Sequence, residues 1–247
     1  MILPQRVHTL LFDFDGTLCH RRPSSLDVFF RLLENAGVGV DSKSKRNTRR
    51  FVHYYWANSQ ELMEDINEFD KLTPPFWENY LKRKLIALGL DEQRGSALSS
   101  QLQPGMEKEY QPEPWIPPDV HPTLSALQRE GYTLGLVSNR SMPIGGELSE
   151  HNLAHYFDFH YTAGEIQSWK PDQAIFEFAL DLAQSTPQQT LFIGDNYYAD
   201  ILGAKNAGLH TILIDPHDTF PDADCSVIHS IGELMDRHPL EPGEAQK

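Results

Sequence analysis

The sequence predicts an α/β fold: a parallel sheet with helices on both faces, and a block of helices inserted after the first strand. Three observations support this fold class. Residues 10–12 form a continuous apolar run, which is typical of a strand buried on both faces. After residue 119, strand-like and helix-like segments alternate. A polar helix is expected after residue 140, to about residue 154, and another over residues 200–207. After the first strand, the expected strands cover residues 132–137, 157–162, 190–193, 210–214 and 226–228. From residue 19 to about residue 118, strand-like runs disappear and helical patterns take over.

Length and charge limit the possible classes of function. The 247 residues suit one large domain or a core with a smaller inserted unit. A formal net charge of −14 argues against a nucleic-acid partner. No apolar run reaches the ~20 residues of a membrane span, so no membrane association is expected. The two isolated cysteines, Cys19 and Cys225, fit a reducing compartment and predict a cytoplasmic location.

Four helices are predicted in the inserted block. The first begins at Ser24 or Ser25, and the second runs from Ser42 towards Phe69, with a break near Asn58 left open. The third and fourth cover residues 73–89 and roughly 91–103. A proline cluster then predicts a stiff return to the sheet: Pro112, Pro114, Pro117 and Pro118.

Two carboxylates follow the first strand. Asp13 and Asp15 lie two residues apart, so extended geometry would point both to the same side. Gly16 allows a tight turn, and Thr17 adds a hydroxyl. Because like charges repel each other at an apolar strand end, this pattern favours a bound cation over a simple polar turn.

Other polar residues follow later strands and loops. Ser138 and Asp195 come directly after apolar strands, and Lys170 lies between a strand and a helix. Taken singly, Ser138 is a helix cap, Lys170 a loop lysine, and Asp195 and Asp200 ordinary acids of a helix start. Ligands of open parallel sheets bind beyond the carboxyl ends of the strands, so we expect these residues to converge there with Asp13. Together they supply carboxylates, a hydroxyl and a cation for phosphoryl transfer.

At this point the chain resembles the haloacid dehalogenase (HAD) superfamily, in the subgroup with a helical cap inserted after the first motif. The resemblance is carried by four motifs in order: Asp13-Phe14-Asp15-Gly16-Thr17, Ser138-Asn139, Lys170-Pro171, and Gly194-Asp195 through Asp200. It implies a Rossmann-like HAD core formed by residues 1–18 and 119–247. It also implies a four-helix cap domain formed by residues 19–118.

The resemblance implies roles for the site residues. Asp13 would be the nucleophile that forms an aspartyl-phosphate, and Asp15 the general acid and base. Mg²⁺ would lie between the Asp13 carboxylate, the Asp15 backbone carbonyl and Asp195. Asp200 would bind the metal directly, bind it through water, or orient Asp195; the sequence leaves these alternatives open. The phosphate would be held by a further set of residues: Ser138, Asn139 and Lys170.

The resulting hypothesis is an Mg²⁺-dependent phosphatase that acts on a small phosphorylated metabolite. Dehalogenases of the superfamily lack the second aspartate, so Asp15 argues against that chemistry. A sugar-phosphate mutase and a non-catalytic binding or scaffold protein remain as alternatives, and the sequence does not indicate the oligomeric state. Candidates for substrate recognition follow the catalytic loop, adjoin the second motif or lie in the cap, where such charges are more often a solvated helix face. They are His20, Arg21, Arg22, Arg46, Arg49, Arg50, His53, Tyr54, Tyr55, Trp56, Lys82, Arg83, Lys84 and Arg140.

Overall fold

A six-stranded parallel sheet forms the centre of the computed structural model, which describes residues 7–70 and 73–236. Every strand pairing in this sheet is parallel. The strands are β1 (Thr9–Phe12), β4 (Thr133–Ser138), β5 (Phe159–Thr162), β6 (Thr190–Gly194), β7 (His210–Ile214) and β8 (Ser226–Ile228). They are arranged in the order β5–β4–β1–β6–β7–β8. All six strands expected from the sequence are therefore present, within two residues at each end.

Helices cover both faces of the sheet. Leu10 and Phe12 of β1 belong to the apolar cluster that includes Leu124, from the helix that covers Val120–Arg129. Leu11, between them, packs in the opposite cluster with Phe176, from the helix that covers Gln173–Ala183. The helices after residue 119 are α6 (Val120–Arg129), α7 (Gly145–Glu150), α8 (Ala163–Ile166), α9 (Gln173–Ala183), α10 (Gly203–Asn206) and α11 (Glu233–Asp236). The predicted fold class, a parallel sheet with helices on both faces, is confirmed.

Two predicted helices differ in detail. The polar helix expected directly after β4 starts only at Gly145, because residues 139–144 form a loop. The helix expected from Asp200 begins instead as a π-helical turn, Tyr197–Leu202, that continues into α10. In that turn, the Asn196 side chain accepts hydrogen bonds from the backbone N–H groups of Tyr198 and Ala199, both at 3.0 Å.

Over residues 19–70 and 73–118, the inserted block contains five helices, not four. They are α1 (Ser25–Asn35), α2 (Ser42–Trp56), α3 (Gln60–Glu68), α4 (Pro74–Leu88) and α5 (Glu92–Glu109). The break left open near Asn58 is real, because Asn58 adopts a left-handed conformation with φ of 58°. Ser59 then caps α3 by accepting a hydrogen bond from the Leu62 N–H at 3.1 Å.

Helix α5 extends beyond its predicted end at residue 103. It continues through Pro104 to Glu109, although an interior proline removes one helical hydrogen bond. The reason is packing against α1. A Cβ atom added to Gly105 would lie 3.0 Å from the Leu32 side chain, so the two helices are in close contact there.

A two-stranded antiparallel ribbon, absent from the sequence prediction, lies where the chain leaves and re-enters the α/β part. It pairs β2 (His20–Arg22) with β3 (Glu113–Trp115). The Arg22 guanidinium carbon lies 3.2 Å from the centroid of the Trp115 ring.

Within the described ranges, no helix is long and apolar enough to span a membrane. The division into residues 1–18 with 119–247 and residues 19–118 remains a prediction, and its outer ends lie beyond the described residues.

Candidate active site

The carboxyl ends of three neighbouring strands bring the predicted site residues together. Strand β1 lies between β4 and β6, so Asp13, Ser138 and Asp195 follow adjacent strands at the same edge. All seven predicted site residues line one cavity of about 640 Å³. These residues are Asp13, Asp15, Ser138, Asn139, Lys170, Asp195 and Asp200.

Lys170 is the buried cation of this edge. Its Nζ donates a hydrogen bond to Asp13 Oδ1 at 2.6 Å and one to the Val137 carbonyl at 3.0 Å. It also forms an ion pair with Asp200 Oδ1 at 2.7 Å. Burial alone would lower the pKa of Lys170, but the two carboxylates outweigh burial and raise it. Lys170 is therefore charged and fixed between Asp13 and Asp200.

The acids at this edge exceed the bases. Oxygen atoms of Asp13, Asp195 and Asp200 lie within 4.8 Å of one another, and in the described part of the chain Lys170 is the cation that contacts this cluster. Burial raises the pKa of Asp13 to about 7, with Asp200 adding to the shift and Lys170 opposing it. Burial, followed by the charges of Asp13 and Asp200, also raises the pKa of Asp195 well above its usual range. Three carboxylates against one ammonium leave a negative site whose donors are all oxygen, which fits a hard divalent cation.

Two glycines allow the carboxylates to pack against the backbone. Gly16 has φ of +88°, and the Asp195 carboxylate lies where its Cβ would be. The Asp200 carboxylate fills the equivalent space at Gly194. In this position, Asp200 Oδ2 accepts a hydrogen bond from the Asn196 N–H at 2.9 Å. A side chain at either glycine would displace a carboxylate of the cluster.

The Asp15 carboxylate lies apart from this cluster. Its two oxygens accept hydrogen bonds from Nε and Nη2 of Arg140, both at 2.6 Å. Arg140 also pairs with Glu147, and the Arg21 Nη2 lies 3.4 Å from the same glutamate. The chain turns after Asp13, so the same-side arrangement expected for an extended Asp-x-Asp segment does not bring the two carboxylates into one cluster. Asp15 still lines the cavity and remains half exposed.

The second motif lies beside Lys170. Ser138 is buried, and its Oγ accepts a hydrogen bond from the Arg140 N–H at 3.3 Å. The Asn139 side chain donates to the Lys170 carbonyl at 2.8 Å and accepts from the Lys170 N–H at 2.7 Å. The Asn139 amide is thus engaged in positioning the Lys170 loop.

Comparison with known proteins identifies the family. The profile of the haloacid dehalogenase-like hydrolases matches residues 7–208, which include every motif described above. The chain is a HAD-like hydrolase. The resemblance predicted from the four motifs is therefore confirmed at the level of the family.

Relatives of this HAD-like hydrolase match it over nearly its whole length. A ribulose-1,5-bisphosphate 5-phosphatase from Halopiger xanaduensis is 30% identical and aligns with 92% of this chain and 97% of its own. A phosphoserine phosphatase from Thermus thermophilus is 26% identical, with coverage of 92% and 96%. Among solved structures, the HAD-hydrolase YfnB from Bacillus subtilis, bound to magnesium, matches with a TM-score of 0.54 and 22% identity, covering 94% of this chain and 98% of its own. This last match supports the fold alone.

The structure of this HAD-like hydrolase adds residues that the sequence did not single out. Asn196 links the α/β part to the inserted helical block, because its Nδ2 donates a hydrogen bond to the His53 carbonyl of α2 at 2.9 Å. Its position as a helix cap directly after Asp195 was a usable signal. Met142 is 74% exposed at the cavity rim. Neither Met142 nor Glu147 had a sequence signal, because their positions depend on the path of the loop at residues 139–144.

Proposed function

We propose that this HAD-like hydrolase removes phosphate from a small phosphate monoester in two steps through Asp13. The observation that carries the proposal is the buried Asp13 carboxylate, with one oxygen bonded to Lys170 and two further carboxylates in the same cluster. The names of the two relatives above, a ribulose-1,5-bisphosphate phosphatase and a phosphoserine phosphatase, support phosphate esters as the substrate class.

In the first step, the Asp13 oxygen not bonded to Lys170 would attack phosphorus. A bond forms between Asp13 Oδ2 and phosphorus while the ester oxygen departs with the bonding electrons. Asp15 would donate the proton that the departing oxygen needs. In the second step, Asp15 would take a proton from water, whose oxygen attacks phosphorus. Asp13 is then regenerated and inorganic phosphate leaves.

The charge of the incoming phosphate requires cations and hydrogen-bond donors. Asp13, Asp195, Asp200 and the Asp15 carbonyl would hold a divalent cation, by our proposal Mg²⁺, with Asp200 bound directly or acting through Asp195. When bound, the cation supplies the charge that neutralises the phosphoryl oxygens. Lys170, the Ser138 hydroxyl and the Asn139 backbone N–H would bind the equatorial oxygens.

A panel of small phosphate esters tests the proposal, with release of inorganic phosphate as the readout. Chelation should abolish turnover, and added Mg²⁺ should restore it. Asp13→Asn serves as the inactive control. Full activity without metal would contradict the metal assignment. Phosphate transfer to a second sugar position without release would favour a mutase, and inactivity on the whole panel would favour a binding protein.

The role of Asp15 has its own test. Asp15→Ala should slow esters with poor leaving groups more than p-nitrophenyl phosphate, whose leaving group needs little protonation. Equal losses on both kinds of ester would contradict the acid role.

We also propose that residues 19–118 act as a cap over the site. Support comes from helix α2, whose Val52, His53 and Trp56 line the catalytic cavity. The same helix contacts the α/β part through the Arg50 Nε, which donates to the Thr219 carbonyl at 2.8 Å. Closure would exclude bulk water from the phosphoryl group. Structures with and without fluoroberyllate should differ by rotation between the two parts, whereas identical arrangements would remove the gating role.

A further inference from the structure

Lys84 is a buried lysine that the proposed chemistry does not use. It belongs to α4, in the helical block, and is 2% exposed. Its Nζ lies 4.6 Å from the centroid of the Phe29 ring and 4.8 Å from that of Tyr80. Across residues 7–70 and 73–236, no carboxylate lies within 4.0 Å of this amine, and no hydrogen bond to it is formed.

A buried ammonium without an anionic partner is unfavourable. The two ring faces offset part of the lost hydration, but aromatic rings provide no countercharge. Burial lowers the pKa of Lys84 to about 7, with no neighbouring charge opposing the shift. Taking a charge out of water is costly, and among the described residues no ion pair offsets that cost at Lys84. The fold itself therefore gives no reason for a lysine at this position.

The space beside Lys84 is large enough for part of a ligand. Lys84 lines a cavity of about 410 Å³ together with the aromatic side chains of Trp77, Tyr80 and Tyr110. The acid in this cavity, Glu107, is exposed and accepts a hydrogen bond from Gln103 Nε2 at 3.1 Å. An amine at an aromatic wall is suited to the charged end of a ligand whose remainder is apolar or weakly polar.

This cavity adjoins the catalytic carboxylates through shared walls. Trp77, Tyr80 and Tyr110 also line a second cavity, of about 470 Å³, that reaches Asp15 and Asp195. A hydrogen bond between two side chains also connects the cavity beside Lys84 to the catalytic cavity.

Trp56 lines the catalytic cavity, and its Nε1 donates to the Tyr80 hydroxyl at 2.9 Å. A single ring, that of Tyr80, thus separates Lys84 from a residue of the catalytic cavity.

We propose that Lys84 binds a second anionic group, at the far end of the substrate from the phosphate that is removed. The substrate would then be a phosphate ester that carries a carboxylate or another phosphate beyond an extended spacer. This inference rests on the proposed phosphatase function. A free oxyanion bound at Lys84 independently of the substrate is the competing source of the same chemistry.

The kinetic test compares two series of esters with the full-length enzyme. Straight-chain diol bisphosphates of increasing length are compared with the alkyl monophosphates of the same lengths. Lys84→Met should lower the preference for bisphosphates, expressed as a ratio of kcat/KM values, by about tenfold or more, through KM. The matched control is Lys82→Met on the same helix, because Lys82 is partly exposed and pairs with Glu92 at 3.2 Å. Lys82→Met should leave the ratio unchanged, and Lys84→Arg should retain part of the preference.

A binding measurement separates this inference from the phosphatase proposal. Straight-chain diphosphonates cannot be hydrolysed, and their binding to wild type and both Lys→Met variants is measured by calorimetry. Weaker binding to Lys84→Met alone would support the site even if no ester were turned over. Equal binding to all three proteins would overturn it. Binding of inorganic phosphate that depends on Lys84, without any advantage for the longer dianions, would also overturn the assignment to the substrate's far end.

Discussion

Among the residues that the structure describes, two lysines of this HAD-like hydrolase are fully buried, and they lie in contrasting surroundings. Lys170, at the sheet edge, contacts two carboxylates and a carbonyl. Lys84, in the helical block, contacts two aromatic rings. The pKa of Lys170 is raised because its carboxylates outweigh burial, whereas burial lowers the pKa of Lys84 to about 7.

The difference shows that the partners of a buried charge, more than its burial, decide what a region can bind. The sheet edge has an excess of negative charge, which suits a divalent cation and, with it, a phosphoryl group. The helical pocket holds Lys84, which contacts no carboxylate among the described residues and for which we propose the anionic end of a ligand as the partner. The two regions are complementary if one substrate spans both.

The largest expected effect is on turnover at the sheet edge. Asp13→Asn should lower kcat by ~1,000-fold or more on every ester, because it removes the attacking carboxylate. Lys84→Met, by contrast, should act through KM on doubly charged esters. Steady-state kinetics on both series checks the difference, with circular dichroism as the control for folding. Retained turnover in a folded Asp13→Asn protein would place the chemistry elsewhere.

The two lysines should also differ in sign when each is replaced by methionine. Lys170→Met leaves Asp13 and Asp200 buried without their cation and should destabilise the protein by about 3–5 kcal/mol. Lys84→Met removes an unpaired charge and should stabilise it by about 1–4 kcal/mol. Urea unfolding in chelator at pH 7 measures both free energies. Changes of the same sign would remove the contrast between the two regions.

The pH dependence of stability should separate the regions further. The pKa of Lys84 is about 7 in the folded protein, below the ordinary 10.5, so its protonated form favours unfolding. The stabilisation by Lys84→Met should therefore grow as the pH falls from 10 towards 7, at about 1.4 kcal/mol per pH unit at most.

Asp13 should show the opposite trend in metal-free buffer. Its pKa of about 7 exceeds the ordinary 3.8, so its ionised form favours unfolding. The stability of Asp13→Asn relative to wild type should increase as the pH rises from 4 towards 7. Urea midpoints across the pH range give both curves, and parallel curves for the two variants would contradict the assignment of either group.

The smallest expected effect comes from the hydrogen bonds that position the backbone of Lys170. The backbone of Lys170 is fixed by two hydrogen bonds to the Asn139 amide. Asn139→Ala should destabilise the protein by about 1–3 kcal/mol and weaken the inhibition of turnover by inorganic phosphate. Asn139→Asp keeps the side-chain oxygen that accepts from the Lys170 N–H, so it should retain part of the stability and part of the inhibition by phosphate. An unchanged inhibition constant in Asn139→Ala would show that the Lys170 loop is positioned without this amide.

Much of the α/β part could be predicted from the sequence, because its strands are short, apolar and buried on both faces. Parallel topology then places residues after different strands at one edge, which is why the amino-acid pattern alone could group Asp13, Ser138, Lys170 and Asp195. The β2–β3 ribbon escaped prediction because its strands have only three residues each and one contains Pro114. The pairing of Asp15 with Arg140 escaped it as well, since a loop conformation decides that contact.

The run Lys82-Arg83-Lys84 shows most clearly what the sequence could not determine by itself. Local periodicity determined the helix, and it placed Lys84 on the same face as Tyr80 and Leu88, four residues away on each side. From their charge alone, all three residues were expected to lie on a solvated helix face. The tertiary structure separated them, because each meets a different element: Lys82 pairs with Glu92, Arg83 pairs with the buried Asp65, and Lys84 lies against Phe29 of α1. Helix packing, which depends on residues distant in the chain, decided which of the three cationic side chains became fully buried.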